Sequence, residues 1–235
     1  MCNQSYPPLH PSTLRSALCS LLLCALPPHV DHQGHVLLIP GMPPTTTSDP
    51  LLALLAERSA KRGRFTLASG RESEFYVDCR LTTMSPEGLA LVGPRGLAAL
   101  DEAGWNVDSV GGLTLGADPV SYAIAYASAI AVAAGEPRRL VRAFTVRKEA
   151  KQHGTGKLIE GPFRAGDRVA VVEDVITTGG SAKKAIAAVR ATGGGVVGGL
   201  ALVAREGGGG EAIEGEGVPV RSLARASDIL PLLPA

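Results

Sequence analysis

The stretch RVAVVEDVITTGGSAKKAIAAVR, residues 168–190, decides the fold. Its apolar run VAVV, residues 169–172, predicts a buried central strand, with Glu173 and Asp174 at the carboxyl end. Residues 177–181, Thr-Thr-Gly-Gly-Ser, predict a tight turn into a helix over residues 181–191. A buried strand followed by a glycine turn and a helix is typical of an α/β protein with a parallel sheet.

The glycine turn and the two carboxylates indicate different parts of one ligand. Backbone amides of such a turn, with the helix N-terminus, form a cavity for a phosphate, and Gly179 and Gly180 let the backbone approach closely. Glu173 and Asp174 would repel a phosphate, so they suit the vicinal hydroxyls of a sugar or a divalent metal. The combination predicts a sugar-phosphate site.

Strand and helix signals alternate on both sides of this stretch. Helices are predicted from Asp49-Pro50 to a stop at Gly63, from Ser85 with a break or restart at Pro94, and from Asp118. Strand signals lie in 64–80, as two pieces around a Ser-Gly turn, and in 107–113, 139–147 and 195–205. The alternation predicts one α/β domain over residues 49–235, with ligands at the carboxyl ends of the strands.

The first 48 residues differ from the rest of the chain. They hold three of the four cysteines, four of the five histidines and the apolar run SALCSLLLCAL, residues 16–26. That run is too short for a membrane-spanning helix, and its flanks match a secretory signal poorly. We expect residues 1–48 to be a disordered leader or a start-site extension, with Met42 as an alternative start.

Composition limits the partners. The net charge of +1 over 235 residues gives no electrostatic case for nucleic acid or an anionic membrane, so neither is expected. The four cysteines lack metal-ligand spacing.

Other glycine-containing stretches do not match known phosphate-binding motifs. GTGKL at 154–158 lacks the first glycine and the Ser/Thr of a P-loop. Gly193, Gly195 and Gly198 follow a helix, the reverse of the dinucleotide context, and Gly207–Gly210 predicts a flexible surface loop.

A second informative stretch is FTVRKEAKQHGTGKLIEG, residues 144–161. After a strand, a polar, glycine-bearing segment runs for about a dozen residues, and loops of that length are often functional lids. A solvated charge run is the usual interpretation of such a segment. Beside a sugar-phosphate site it becomes a candidate anion clamp over a polyphosphate. Its cations are Arg147, Lys148, Lys151, His153 and Lys157.

At this point the residues resemble a known family. VVEDVITTGGSA resembles the phosphoribosyl-pyrophosphate (PRPP) motif of type I phosphoribosyltransferases, and RKEAKQHG looks like the mobile loop of the orotate phosphoribosyltransferases. FTLASGRESEFYVDCR and GGLTLGADPV are similar to two further segments of that family. The resemblance covers residues 51–230. It implies the type I phosphoribosyltransferase fold, with a mostly parallel sheet flanked by helices, a small hood region and a mobile catalytic loop.

The resemblance also implies an activity and a set of site residues. The reaction would transfer ribose 5-phosphate from PRPP to orotate in pyrimidine biosynthesis, in the cytoplasm, with Mg²⁺ held mainly by the pyrophosphate and no confident protein ligand. Catalytic roles would fall on Lys151, His153 and Asp174. PRPP would contact Arg147, Lys148, Lys151, His153, Glu173, Asp174, Val175, Ile176, Thr177, Thr178, Gly179, Gly180 and Ser181. Orotate would contact Phe75, Tyr76, Thr177 and Arg205. The loop would act across a homodimer interface.

Two positions depart from the family pattern. Many relatives carry lysine at the positions of Ala68 and near Leu115, so a direct cationic contact at each place is in doubt. Two alternatives stay open: a transferase of the same superfamily acting on a purine or another base, and a PRPP-sensing protein without catalysis. The orotate-like loop and Arg205 argue against the first, and the loop cations argue against the second.

Overall fold

The computed structural model describes residues 47, 49–66, 72–149 and 157–234. Apart from residue 47, the predicted leader lies outside this range, as do residues 150–156, which include Lys151 and His153. The strands are β1 (Ala60–Thr66), β2 (Glu72–Val77), β3 (Ser109–Leu113), β4 (Arg142–Val146), β5 (Ile159–Glu160), β6 (Arg168–Ile176), β7 (Gly195–Ala204) and β8 (Val220–Arg225). The α-helices are α1 (Pro50–Leu54), α2 (Arg80–Thr83), α3 (Pro86–Glu102), α4 (Ala117–Ala133), α5 (Gly180–Ala191), α6 (Gly209–Glu214) and α7 (Ala226–Ile229).

Six strands form one sheet in the order β5-β4-β3-β6-β7-β8, and β1 and β2 form a separate antiparallel pair. All neighbours in the large sheet are parallel except β4 and β5. After β3 the chain continues to β4 on one side, whereas after β6 it continues to β7 on the other. The carboxyl ends of β3 and β6 therefore border a crevice, which is where open α/β sheets bind ligands.

The apolar run that predicted the central strand is buried on both faces. Ala170 and Val172 belong to a core cluster that includes residues of α3 and α4, whereas Val169 and Val171 belong to a second cluster with α5. Successive side chains of a strand point to opposite faces, so one strand supplies both cores. The predicted central strand is confirmed, although β6 extends to Ile176 and includes both carboxylates.

Two helices begin at the caps predicted for them, but the predicted end of the first helix at Gly63 and the predicted break at Pro94 are wrong. Asp49 accepts hydrogen bonds from two amides of α1, and Ser85 caps α3. The first helix continues as a π-helical turn over Leu55–Ser59 and ends there, because the chain then pairs with β2 as β1. Pro94 does not break α3, since the helix packs closely on α4; a Cβ at Gly93 would lie 2.5 Å from the Ala123 carbonyl oxygen.

Several features were not expected from the sequence. β5, α6, β8 and α7 carry weak sequence signals, and Gly207–Gly210, predicted as a flexible loop, includes the start of α6. Tyr122 and Tyr126 of α4 are exposed, at 52% and 69%, and do not belong to the core. No helix in the part of the chain that the structure describes is long and apolar enough to cross a membrane.

Candidate active site

A cavity of about 630 Å³ opens at the carboxyl ends of β3 and β6. Its walls come from five parts of the chain: the end of β2 with the residues after it, the β3–α4 connection, Lys148 after β4, the β6–α5 region, and the residue after β7. The lining residues include Tyr76, Asp78, Arg80, Leu115, Lys148, Glu173, Asp174, Thr177, Thr178, Ser181 and Arg205. The sheet topology therefore brings together residues far apart in sequence.

The glycine turn after β6 forms a recess of its own. Glu173 and residues 175–182 line about 40 Å³ of space at the N-terminus of α5. Gly179 has φ +77°, a left-handed conformation that favours glycine, and a Cβ there would lie 2.8 Å from the Gly209 carbonyl oxygen. At the N-terminus of the twelve-residue helix α5, free backbone amides and the helix dipole favour an anion. The turn after β6 therefore has a local geometry that favours an anion.

The glycine-rich segment after β7 supports this turn. A Cβ at Gly209 would lie 2.8 Å from the Ile176 Cγ2 atom and still closer to the Thr177 carbonyl oxygen. Gly210 has open space around it. Part of the segment predicted as a flexible loop therefore packs against the phosphate turn, and this contact requires glycine at position 209.

Glu173 is a buried carboxyl group in the cavity wall. Its exposure is 7%, and its Oε1 atom has no hydrogen-bond partner among the described residues. Burial raises the pKa of Glu173 to about 8, and the negative charge of Asp174 adds to the shift. A carboxyl group without a partner is well suited to accept hydrogen bonds from a bound ligand.

Asp174 lies against the β3–α4 connection. Its Oδ1 atom accepts a hydrogen bond of 2.9 Å from the Val175 amide. Burial raises the pKa of the Asp174 carboxyl group, while that hydrogen bond and Arg80 oppose the shift. A Cβ at Gly116 would lie 2.5 Å from the Asp174 Cγ atom, so a small residue is needed there.

Two further cavity residues, Asp78 and Arg80, were missed by the sequence analysis. The Asp78 carboxylate accepts two hydrogen bonds of 2.8 Å, one from Nε and one from Nη2 of Arg80. The fully buried Cys79 lies between them in sequence, and its pKa is raised by burial and by the charges of Asp174 and Asp78. The sequence signal that could have identified these two residues is the Asp-x-Arg triplet directly after a strand.

Arg205 connects the end of β7 to β2. Its Nη2 atom donates hydrogen bonds of 2.7 Å to the Ser73 hydroxyl and 3.0 Å to the Phe75 carbonyl oxygen. Its guanidinium lies 5.7 Å from the centre of the Phe75 ring. Phe75 is 5% exposed and belongs to the core, whereas Tyr76 is 40% exposed and lines the cavity.

Comparison with known proteins decides the family, although no family model matches the chain. The orotate phosphoribosyltransferase of Rhodopirellula baltica is 43% identical over 183 residues, covering 76% of this chain and 92% of the relative. That of Aquifex aeolicus is 45% identical over 185 residues, covering 77% and 97%. The chain belongs to the orotate phosphoribosyltransferase family.

A solved member of this orotate phosphoribosyltransferase family confirms the predicted fold. The Mycobacterium tuberculosis enzyme in complex with Fe(III) dicitrate is 45% identical and aligns with a TM-score of 0.64, covering 76% of this chain and 96% of the other. The same enzyme in complex with PRPP is 38% identical and aligns with a TM-score of 0.59, covering 76% and 89%. The type I phosphoribosyltransferase fold predicted from the motifs is therefore correct.

In this chain, most of the predicted site residues lie together. Glu173, Asp174 and the turn to Ser181 share the cavity with Lys148, Tyr76 and Arg205. Arg147 pairs with Glu160 at 3.4 Å, next to the cavity residue Lys148. Ile176 is 5% exposed.

Of the two positions that depart from the family pattern, the structure describes Leu115 but not Ala68. Leu115 lines the cavity and is exposed, and the peptide bond between Thr114 and Leu115 is cis. Ala68, like the predicted catalytic residues Lys151 and His153, lies outside the described residues.

Proposed function

We propose that this chain transfers the ribose 5-phosphate group of PRPP to orotate, releasing pyrophosphate and forming orotidine 5'-monophosphate. The activity is assigned to residues 49–235. The observation that supports it best is one cavity combining a phosphate turn, the buried Glu173, the half-buried Asp174 and the fixed Arg205. This combination matches a ligand with a phosphate, a sugar and a second anion, and the chain belongs to a family named for this reaction.

Each part of PRPP has a proposed contact. The 5'-phosphate binds the amides and hydroxyls of residues 177–181 at the N-terminus of α5. Glu173 and Asp174 accept hydrogen bonds from the ribose hydroxyls, as expected for a buried carboxyl group whose Oε1 atom lacks a partner among the described residues. Lys148, together with Arg147, Lys151 and His153 of the loop, binds the pyrophosphate.

Orotate binds at the other end of the cavity in this proposal. Arg205 pairs with its carboxylate, and the hydrogen bonds to β2 hold the guanidinium in place. Tyr76 contacts the pyrimidine ring, Thr177 lies beside it, and Phe75 supports Arg205 from below. Orotate N1 then attacks C1 of the ribose, a step that needs positioning more than activation.

Charge determines the rest of the mechanism. As the bond to pyrophosphate breaks, negative charge grows on the leaving group and positive charge on the ribose ring. Cations of the loop stabilise the leaving group, and the carboxylate of Asp174 lies on the side of the ribose. The described residues offer oxygen donors but no cluster of three metal-ligating side chains. When bound, Mg²⁺ would be held mainly by the pyrophosphate and would neutralise charge on the leaving group.

A homodimer in the cytoplasm is part of the same proposal. The loop from Arg147 would act in the neighbouring subunit and exclude water when it closes. Support comes from an apolar groove of about 480 Å³ between α3 and α4, to which Leu89 and the exposed Tyr126 contribute. A second copy of the chain covering this groove would remove apolar surface from water.

The test follows orotate absorbance in the ultraviolet while purified protein is mixed with PRPP and Mg²⁺. Loss of signal with orotate, but not with adenine, hypoxanthine or uracil, and only with metal present, would support the proposal. An Asp174→Asn variant should be impaired, whereas Glu102→Gln at the exposed end of α3 should be active. No turnover in a folded sample that still binds PRPP would contradict the proposal and favour another base or a sensor.

A further inference from the structure

Arg80 is a cation held in a fixed position at the wall of the cavity. Asp78 binds its Nε and Nη2 atoms in a two-pronged pair, each at 2.8 Å, and Asp78 also accepts a bond of 3.1 Å from the Arg80 amide. The Arg80 side chain is 47% exposed. Since a guanidinium has five N–H groups and Asp78 uses two, three remain for other partners.

The Nη1 atom of Arg80 makes no hydrogen bond within the described ranges, although Arg80 lies among cavity-lining residues. Of the other two lining cations, Arg205 is bonded to β2 and Lys148 lies at the start of the loop. Among the cavity-lining cations in the described ranges, Arg80, the first residue of the short helix α2, therefore combines a fixed orientation with unused donors. Fixing a guanidinium in advance reduces the side-chain entropy lost when an anion binds.

The surroundings of Arg80 are acidic. Asp78 pairs with it, and the Asp174 carboxyl group is near enough for each charge to influence the pKa of the other. Glu173 adds a third carboxyl group to the same cavity. A polyanion entering beside these groups would be repelled without a cation, so Arg80 offsets the repulsion at this wall.

We propose that Arg80, positioned by Asp78, binds the pyrophosphate group of PRPP from within the same subunit. This inference rests on the function proposed above. The phosphate recess at residues 173–182 does not include Arg80, so the 5'-phosphate has its own contacts. The orotate carboxylate is assigned to Arg205. The remaining anionic part of the substrates is the pyrophosphate. In this proposal it lies beside Asp174 and the β3–α4 connection, which line the same cavity as Arg80.

The test compares Arg80→Gln with wild type and with Arg58→Gln. Arg58 is a matched control because it also pairs with a carboxylate, Glu87, at 3.0 Å, and does not line the cavity. We expect Arg80→Gln to raise the KM for PRPP and the Kd for magnesium pyrophosphate by about 10–100-fold, the effect of losing one charged hydrogen-bonded contact. The KM for orotate and the Tm should change little.

Two further variants separate binding from folding. Arg80→Lys keeps the charge without the fork and should recover part of the pyrophosphate affinity, while Asp78→Asn should weaken it less than Arg80→Gln does. If Arg80→Gln fails to fold, Arg80→Lys and Asp78→Asn decide the matter by calorimetric titration with pyrophosphate.

The outcomes distinguish the two proposals. Absence of turnover in wild type would contradict the proposed function. An active wild type with unchanged pyrophosphate affinity in the Arg80 and Asp78 variants would overturn the role of Arg80 alone. A rise confined to the KM for orotate would also overturn it, because the arginine would then bind the other substrate.

Discussion

Replacing Gly209 with alanine tests whether α6 holds the phosphate turn in shape. The added methyl group would lie 2.8 Å from the Ile176 Cγ2 atom and from the Thr177 carbonyl carbon, and closer to the Thr177 oxygen. Ordinary carbon contacts need about 3.5–4.0 Å, so α6 and the turn must separate by roughly 1 Å. Forcing an extra methyl group into such a contact costs about 1–3 kcal/mol.

Part of that strain is expected to displace Thr177, the first residue of the turn. If about 1.4 kcal/mol is lost from phosphate binding, the affinity for PRPP falls tenfold. We therefore expect Gly209→Ala to raise the KM for PRPP about tenfold while the KM for orotate changes little. Each kcal/mol of strain in the folded state should lower the Tm by about 2–4 °C.

The control is Gly210→Ala, in the same first turn of α6 but with open space around it. Alanine favours a helix over glycine by up to about 1 kcal/mol, so this variant should keep its KM and melt at the same or a slightly higher temperature. Steady-state kinetics, titration with ribose 5-phosphate and thermal melts measure all three effects. An unchanged KM for PRPP in Gly209→Ala, or the same change in Gly210→Ala, would refute the reasoning.

Three further predictions concern the cavity. Wild type should lose stability from about pH 4.5 to 8 relative to Glu173→Gln, by up to about 5 kcal/mol, because folded Glu173 retains a proton that the unfolded chain releases; parallel pH profiles in urea melts would contradict this. Lys151→Ala should lower kcat on the order of 10²-fold, and turnover at the wild-type rate would exclude Lys151 from the anion clamp. Arg205→Met should raise the KM for orotate about 10–100-fold, and Ser73→Ala, which removes one Arg205 partner, should raise it less; equal effects on the KM for PRPP would argue against a contact with orotate.

The central strand and the turn after it could be predicted because their signals are local. Residues 169–172 are apolar at every position, which is possible only for a strand covered on both faces. The caps Asp49 and Ser85 mark their helices for a similar reason, since their side chains bond amides two or three residues away. The family resemblance supplied the order of the remaining motifs.

Other features depend on contacts between distant residues and could not be predicted. Position 209 requires glycine because its backbone packs closely against Thr177, thirty-two residues earlier in the chain. Nothing in the sequence near position 209 indicates that contact. From the sequence alone, Arg80 and Asp78 would be interpreted as surface charges. The fold places them in the same cavity wall as Asp174. Pro94 continues a helix only because α4 packs on it, which is tertiary structure overriding a local preference.

The packing of Trp105 provides an optical probe of the fold. It is the only tryptophan in the sequence, and a Cβ at Gly198 would lie 2.5 Å from its Cδ2 atom and slightly closer to two further ring atoms, so the indole lies flat against the early part of β7. The candidate site lies at the opposite ends of the strands. Intrinsic fluorescence should therefore follow unfolding of the sheet and be insensitive to whether the cavity is filled. A single unlabelled sample could then report the stabilisation that each substrate confers, since a ligand that binds only the folded state shifts the unfolding midpoint.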